Sequence, residues 1–260
     1  MTLKLLSIDE YVQNVQHVHA AIKGPHGSGK TTVATAAARV WSPTLVIDAE
    51  GGQLSAAHFA PRSDFFIADV RSKDPRDHDE FFRNLGEALA EAMSEKYKLV
   101  VVDSMGEVVS RMIDQYAKDS KSGMPSQSDW FGLTGRARAF TRTLRDLKKH
   151  TVVTFLTEKI KEDKTIYDVA LPGQLSTEIP AMYDILALTQ KKQGPKGELQ
   201  HWFTTSGQPV FQVRSRLQGL ASEEFIDPSK PWCVWEKIDG LHKALFKANG
   251  AAVPAPAKTA

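Results

Sequence analysis

One run of eight residues, GPHGSGKT at positions 24–31, constrains this chain more than any other feature of its sequence. It fits the pattern G-x-x-x-x-G-K-[ST], in which the glycines let the backbone fold around phosphate oxygens. A strand-like segment, 16–23, precedes the run. The segment TTVATAAARVW, which starts at the last residue of the run, is rich in good helix formers. A helix that starts at such a turn directs the positive end of its dipole at phosphate. The chain is therefore expected to bind a nucleotide by its phosphates.

The lysine and the threonine of this run have separate expected roles. Lys30 is predicted to reach the β- and γ-phosphates of ATP and so to take part in catalysis. The Thr31 hydroxyl is predicted to ligate Mg²⁺, while His26 occupies a variable position without a role of its own. The residues expected to bind the nucleotide are Gly24, Pro25, His26, Gly27, Ser28, Gly29, Lys30, Thr31 and Thr32.

Strand-like and helix-like runs alternate along most of the chain. After the first strand, the strand-like runs are TLVIDAE, DFFIADV, KLVVVDS and TVVTFLT, with amphipathic helical runs between them. This alternation predicts an α/β fold, with a central, mainly parallel sheet flanked by helices. The later runs DILALTQ, HWFTTS and FQVRSRL are separated by turn signals, and they predict C-terminal antiparallel strands.

Length and composition bound the class of protein. The 260 residues suit one domain, predicted at 16–246, with a short N-terminal segment at 1–15 and a disordered Ala/Pro-rich tail at 247–260. No apolar run reaches the roughly 18 residues of a membrane helix, so no membrane association is expected. Cys233 is the only cysteine, which favours a reducing cytoplasm. The net charge of +2 does not by itself indicate a nucleic-acid binder.

Carboxylates after two of the strand-like runs are candidates for catalysis. Asp103 ends the run LVVVD, where the carboxyl end of a parallel strand would face the phosphates and add a second Mg²⁺ ligand. Hydrolysis also needs a group that orients or deprotonates water, and Glu50 directly follows TLVIDA. Period-2 alternation puts Asp48 on the same side as Glu50, so both stay candidates for the base.

Three segments carry a resemblance to a known family: IDAEGG, VVVDS and FLTEK. In order and spacing they resemble RecA-family ATPases. The EGG pattern, the pair Asp129-Trp130 before a helix and the small size resemble more closely the minimal RecA-core ATPases of bacteriophages, including the Sak-type single-strand annealing proteins. The resemblance covers residues 17–220 approximately and implies a RecA-like P-loop NTPase fold. It also implies that Glu50 activates water and that Asp103 is the Walker B aspartate. The bacterial recombinase has a phosphate-sensing glutamine where this chain has Glu158, so Thr157 is an alternative sensor.

The resemblance also places two DNA-binding loops, at about 118–128 and 159–174. Their lysines would neutralise phosphates without reading sequence, and Trp130 or Tyr167 would stack on a base. The lysines are Lys118, Lys121, Lys159, Lys161 and Lys164. Acidic residues dilute the second loop, so lysines that are merely solvated are the alternative reading.

The helical run FGLTGRARAFTRTLRDLKKH carries two separate stripes. The apolar stripe is expected in the core and consists of Leu133, Ala137, Phe140, Leu144 and Leu147. The basic stripe is either a solvated face or a contact for phosphates or a subunit, and it consists of Arg138, Arg142, Arg145 and Lys149.

Two arginines in the run FQVRSRL are candidates for catalysis in a neighbouring subunit. Arg214 and Arg216 would share one face of a strand, as a similar basic pair does in related ring and filament ATPases. Such a pair stabilises charge on the neighbour's γ-phosphate and makes hydrolysis depend on assembly. A solvated edge strand is the alternative.

Together these features predict a cytoplasmic ATPase that uses ATP and Mg²⁺ and acts on single-stranded DNA in recombination or annealing. It is expected to form a homo-oligomer, either ring or filament, with a single-strand-binding protein as a further candidate partner. The alternatives are a ring-type nucleic-acid motor, a small-molecule kinase, and an adaptor whose assembly is gated by nucleotide.

Overall fold

The structure is a computed structural model that describes residues 7, 17–118, 120, 122–161, 166–206 and 212–248. Ten strands lie in these ranges: β1 (His19–Gly24), β2 (Thr44–Asp48), β3 (Phe65–Asp69), β4 (Leu99–Asp103), β5 (His150–Lys161), β6 (Ile166–Val169), β7 (Ile185–Gln193), β8 (Leu199–Thr204), β9 (Arg214–Ser215) and β10 (Glu223–Ile226). The α-helices are α1 (Lys30–Ala36), α2 (His78–Ala92), α3 (Met105–Ala117), α4 (Gln127–Asp146), α5 (Leu175–Ala181) and α6 (Cys233–Ala248). Short 3₁₀ helices occupy Ala37–Arg39 and Gln53–His58. None of these helices is both long and apolar enough to span a bilayer.

The strands form one sheet in the order β10-β8-β7-β1-β5-β4-β2-β3, with β6 added to β5 and β9 added to β7. Every neighbouring pair from β7 to β3 is parallel. The strands β8 and β10 add antiparallel pairs at one side. This topology confirms the predicted α/β class, with its mainly parallel sheet and C-terminal antiparallel strands. Because β1, β2, β4 and β5 are parallel, their carboxyl ends meet at one edge of the sheet.

Helices cover both faces of the sheet. The helices α2 to α5 pack on one face through buried residues such as Leu85, Val109 and Ile179. The helices α1 and α6 pack on the other face, where Val33 and Trp235 lie in the core. The Trp235 indole also donates a hydrogen bond to the Val33 carbonyl, at 2.7 Å. The parallel strands are thus buried on both sides, which explains their nearly continuous apolar sequences.

Helix α4 begins earlier than its sequence pattern predicts. Ser126 and Asp129 form a capping box, in which each side chain accepts a hydrogen bond from the other residue's backbone NH. Trp130 therefore lies inside the helix and not before it. The predicted apolar stripe is confirmed, because all five of its residues are buried.

The predicted basic stripe of α4 is largely engaged within the chain. The Arg138 Nε atom pairs with Glu178 at 2.6 Å, Arg145 pairs with Asp146 at 2.8 Å, and Lys149 is buried. Of the four residues of the stripe, Arg142 is exposed and has no ion pair in the described ranges. Both readings of the stripe, a solvated face and a contact for phosphates or a subunit, stay predictions.

The C-terminal part of the chain differs most from the sequence prediction. In the described part of the run FQVRSRL, residues 212–217, the strand is confined to Arg214–Ser215, and the next NH, that of Arg216, donates to the Asp184 carbonyl. The strand beside β8 is instead β10, which the sequence pattern did not indicate. The polar run after β5 contains β6, and α6 ends at Ala248, two residues beyond the expected boundary at 246. Segments 1–15, except Ser7, and 249–260 lie outside the described residues.

Candidate active site

The glycine-rich run forms the turn between β1 and α1, as the sequence predicts. Gly27 and Gly29 have φ angles of 68° and 93°, a left-handed conformation that favours glycine. A methyl group on Gly24 would lie 2.5 Å from both Ser28 Oγ and the carbonyl oxygen of Thr189. All three glycines are thus required by the shape of the turn, which fits a loop that wraps a phosphate group.

Lys30 lies inside this turn together with two carboxylates. Its Nζ atom donates a hydrogen bond to the Pro25 carbonyl at 2.9 Å. Burial lowers the pKa of Lys30, while the nearby charges of Glu50 and Asp103 raise it. The turn, the predicted base and the predicted metal ligand therefore meet in one site. The tip of the phosphate loop consists of Pro25, His26 and Gly27, and all three are exposed. Thr32 is half-buried in α1.

Asp103 is buried at the end of β4 and accepts three side-chain hydrogen bonds. Its Oδ2 atom accepts from Thr31 Oγ1 at 2.9 Å and from Gln53 Nε2 at 3.0 Å. Its Oδ1 atom accepts from Thr154 Oγ1 on β5. The predicted pair of Thr31 and Asp103 is thus brought together. The sequence alone does not single out Gln53 or Thr154, because no motif marks them.

The donor set at Thr31 and Asp103 fits Mg²⁺. A hydroxyl and a carboxylate supply the hard oxygen ligands that Mg²⁺ prefers. In the described ranges no group of three or more His, Cys, Asp or Glu residues is arranged to hold a metal. A site with one protein carboxylate suits Mg²⁺ that shares its coordination with substrate phosphates.

The two candidates for the base have different hydrogen-bond partners. The Oδ1 atom of Asp48 accepts hydrogen bonds from the backbone NH groups of Glu50 and Gly51, at 3.2 and 2.7 Å, so it shapes the turn after β2. Glu50 is exposed, and its Oε1 atom accepts a hydrogen bond from the Ser104 hydroxyl. Period-2 alternation does not extend to Glu50, because β2 ends at Asp48 and Glu50 lies in the turn. Ser104 also caps α3 by accepting from the Glu107 NH, at 3.2 Å.

Of the two glycines after Glu50, Gly51 is required by its backbone conformation and by a close neighbour, whereas Gly52 has room for a side-chain carbon. Gly51 has a φ of 80°, and a methyl group there would lie 2.2 Å from the Arg71 guanidinium. A methyl group on Gly52 would lie 3.9 Å from Asp103 Oδ2. Arg71 is itself held by Asp69 at 2.6 Å. The turn that carries Glu50 is therefore packed between the metal-side carboxylate and an arginine that the sequence did not indicate.

The predicted DNA-binding residues lie on different elements of the described structure. Lys118 is exposed at the end of α3, and its Nζ atom lies 4.0 Å from Asp79. Lys159 and Lys161 belong to β5 and not to a loop, because β5 continues to Lys161 and pairs with β6. Trp130 is half-buried against the core, while the adjacent Phe131 is 74% exposed. The predicted residues outside the described backbone are Lys121 and Lys164.

The predicted phosphate sensors both lie in β5, beyond Thr154. Thr157 is half-buried and pairs with Val169 of β6. The backbone of Glu158 is also in the strand, but its side chain lies outside the described structure. The threonine of β5 that contacts Asp103 is Thr154, and the choice of Thr157 or Glu158 as phosphate sensor stays a prediction.

The two predicted trans-acting arginines are held by their own chain. The Nη2 atom of Arg214 donates to three backbone carbonyls at the end of α5, the shortest at 2.6 Å to Ala181. Arg216 pairs with Asp184 at 3.2 Å, and its side chain is 59% exposed. Ser215 pairs with Ile185, at the amino end of β7, whereas the phosphate loop follows the carboxyl end of β1. The arginines thus lie at the edge of the sheet opposite their own chain's Lys30.

Comparisons with known proteins place the chain in a family. The AAA domain family matches residues 16–217. No curated protein matches the sequence. Among solved structures, the type III secretion ATPase EscN of enteropathogenic E. coli, in complex with its central stalk EscO, is 12% identical, with a TM-score of 0.47. That alignment covers 95% of this chain and 60% of that one.

A prototypical ATPase from the type III secretion system of pathogenic bacteria is 14% identical, with a TM-score of 0.43. Here the alignment covers 66% of this chain and 52% of that one, so this chain spans only about half of that ATPase. The match to the AAA domain family spans residues 16–217, which are most of the sequence and include the phosphate loop and Asp103. The chain therefore belongs to the AAA domain family and is a P-loop ATPase.

Proposed function

We propose that this ATPase uses Glu50 to activate water and acts, as a homo-oligomer, on single-stranded DNA in recombination or annealing. The course of β5 is the observation that carries the proposal. This strand contacts Asp103 through Thr154 and continues through Lys159 and Lys161 into its pairing with β6. A movement of Asp103 would therefore be passed along β5 to the segment that carries Lys159 and Lys161.

The hydrolytic step rests on how Glu50 is held. Its carboxylate is exposed and accepts a hydrogen bond from Ser104, the residue directly after Asp103. A carboxylate held beside the phosphate site can orient a water molecule and accept its proton. Thr31 and Asp103 would hold Mg²⁺, which neutralises charge on the phosphates when bound. Lys30 and the backbone of the loop would hold the β- and γ-phosphates.

Single-stranded DNA as the partner is supported by the resemblance of the EGG pattern and the Asp129-Trp130 pair to phage RecA-core ATPases of the Sak type. Lysines in β5 and at Lys118 suit a sequence-independent contact with the phosphate backbone. Phe131 is 74% exposed near the start of α4, where its ring is open to stacking on a base. In this role it replaces the half-buried Trp130.

Assembly into a ring or filament is part of the proposal. Of the two arginines, Arg216 has the more exposed guanidinium, so it is the candidate to reach a neighbour's γ-phosphate. Arg214 would position that segment through the carbonyls of Pro180, Ala181 and Tyr183.

ATP turnover with and without single-stranded DNA tests the proposal, for the wild type and for Glu50→Gln. Wild-type turnover should rise with DNA, and Glu50→Gln should lose turnover while it still binds ATP and DNA. Arg216→Ala should lose turnover only under conditions in which the wild type is oligomeric. If DNA alters neither turnover nor the protein's mobility, the DNA part of the proposal fails, and detection of a phosphorylated acceptor would favour a kinase.

A further inference from the structure

A β-hairpin contacts the phosphate loop. It lies beside β1, on the opposite side from β5. It consists of β7, β8 and the turn between them. Thr189 of β7 shares a hydrogen bond with Ser28, with 2.9 Å between their side-chain oxygens. His201 of β8 contacts the same residue, with its Nδ1 atom 3.2 Å from the Ser28 carbonyl oxygen. The hairpin is thus attached to the loop at two points.

The register of the hairpin puts a lysine on this same face. Lys191 pairs directly with His201, and Thr189 pairs with Phe203. Directly opposed residues in an antiparallel pair project from the same face, and so do residues two apart in a strand. A methyl group on Gly27 would lie 3.9 Å from Lys191 Nζ. The Lys191 ammonium therefore lies next to the tip of the phosphate loop, at Gly27.

The opposite face of the hairpin is fixed by a different set of contacts. Lys192 pairs with Glu223 of β10 at 2.5 Å, and its ammonium lies 5.2 Å from the centre of the Trp202 ring. The two adjacent lysines thus have different surroundings. Lys192 is neutralised, whereas Lys191 has no ion pair or hydrogen bond within the part of the chain that the structure describes.

We propose that Lys191 is a second lysine of this chain that binds the phosphates of the nucleotide, in addition to Lys30. Two cations close to one glycine-rich turn repel each other unless an anion lies between or beside them. A polyphosphate is such an anion, and the flexible stem of lysine lets its ammonium follow the phosphate oxygens. The attachment of the hairpin through Thr189 and His201 keeps Lys191 within reach of the turn.

Equilibrium binding of Mg²⁺-ADP and of a non-hydrolysable ATP analogue tests this proposal without any dependence on hydrolysis or DNA. The variants are Lys191→Ala, Lys191→Met and Lys191→Arg. Lys196→Ala is the matched control, because Lys196 is an exposed lysine in the turn of the same hairpin. Calorimetry gives the affinities, and thermal unfolding confirms that each variant is folded.

Lys191→Ala and Lys191→Met should weaken binding of the ATP analogue by about tenfold, as expected for one charge-assisted hydrogen bond. Lys191→Arg should stay within about threefold of the wild type because it keeps the charge. The loss should shrink as salt is raised, since salt screens an exposed ammonium. Wild-type affinity in Lys191→Ala and Lys191→Met would overturn the proposal. So would an equal loss in Lys196→Ala, because the effect would then be one of general charge.

Discussion

Lys23 and Asp168 form an ion pair in which neither side chain is exposed to solvent, with 3.3 Å between Nζ and Oδ1. Lys23 is the residue before Gly24 on β1, and Asp168 lies on β6. Burial lowers the pKa of Lys23, and Asp168 opposes this by raising it. The second carboxylate oxygen of Asp168 is buried without a hydrogen-bond partner in the described ranges. The pair therefore links β1, which leads into the phosphate loop, to β6.

Removing one partner of this pair should destabilise the protein strongly. Asp168→Leu leaves the Lys23 ammonium buried without a counter-charge, which costs about 3 to 5 kcal/mol of unfolding free energy. The double variant Lys23→Met with Asp168→Leu should recover most of that loss, because no charge is then buried. Urea unfolding of the wild type, the single variant and the double variant measures the effect. Equal losses in the single and double variants would contradict it.

Glu50 should affect turnover, whereas Asp48 should affect stability. Glu50→Gln should lower kcat by about 10² to 10⁴-fold, the range for loss of a general base. Its unfolding free energy should change by less than about 0.5 kcal/mol because Glu50 is exposed.

Asp48→Ala should lower the unfolding free energy by about 1 to 3 kcal/mol, because two backbone NH groups lose their acceptor. Steady-state turnover and urea unfolding of the two variants make the comparison. A catalytic loss in Asp48→Ala as large as that in Glu50→Gln, without a loss of stability, would reverse the assignment.

Lys30 should be essential for nucleotide binding whatever the protein acts on. Lys30→Ala should weaken ATP binding by about a hundredfold or more, since several charge-assisted contacts are lost together. Calorimetry with Mg²⁺-ATP measures the affinity, and Lys196→Ala again serves as the control. Tight binding by Lys30→Ala would mean that the loop is not the phosphate site.

A group of histidines at the amino edge of the sheet should make the protein sensitive to acid. The His150 ring stacks on Trp41 with 4.1 Å between ring centres, and His17 and His242 lie edge-on to it. Burial lowers the pKa of His17 to about 4 and also lowers the pKa values of His150 and His19. Lys148, Lys149, Arg145 and Lys243 act against protonation in this group, while Asp184 and Asp146 favour it at His19.

The sign of the pH dependence follows from these lowered pKa values. Between pH 6.5 and 4 the unfolded chain binds more protons than the folded one, so stability falls as pH falls through this window. His17→Gln should reduce the steepness of that fall, and His58→Gln should not, because His58 is exposed elsewhere. The midpoint of urea unfolding, measured from pH 7 to pH 4, tests this. Identical profiles for the wild type and His17→Gln would contradict it.

Phe131 should contribute to single-stranded DNA binding if the proposed function is right. Phe131→Ala should weaken binding of a labelled oligo-dT by about fivefold or more, since one stacked base is worth about 1 to 3 kcal/mol. Leu54→Ala is the control, because Leu54 is another exposed apolar residue, on a different segment, with 86% of its surface accessible. Fluorescence anisotropy measures both affinities. Equal DNA affinities of Phe131→Ala and Leu54→Ala would exclude a specific contact of Phe131 with DNA.

The sequence by itself determined the parts of this protein that depend on neighbours along the chain. The turn at 24–31 and the buried stripe of α4 follow from local spacing, because a turn and a helix face involve residues a few positions apart. The parallel strands follow from their short apolar runs. The antiparallel side was only partly predicted, since Glu223–Ile226 forms β10 by pairing with a distant strand.

Tertiary structure alone decided how the site is completed. Gln53 and Thr154 reach Asp103 from segments 50 and 51 residues away along the chain, so no local pattern could mark them. The different hydrogen bonds of Asp48 and Glu50 follow from β2 ending at Asp48, which no local pattern marks. Lys191 lies over Gly27 only because β7 pairs with β1. Contacts of this kind are set by strand order and register, which the sheet as a whole decides and which a run of residues does not.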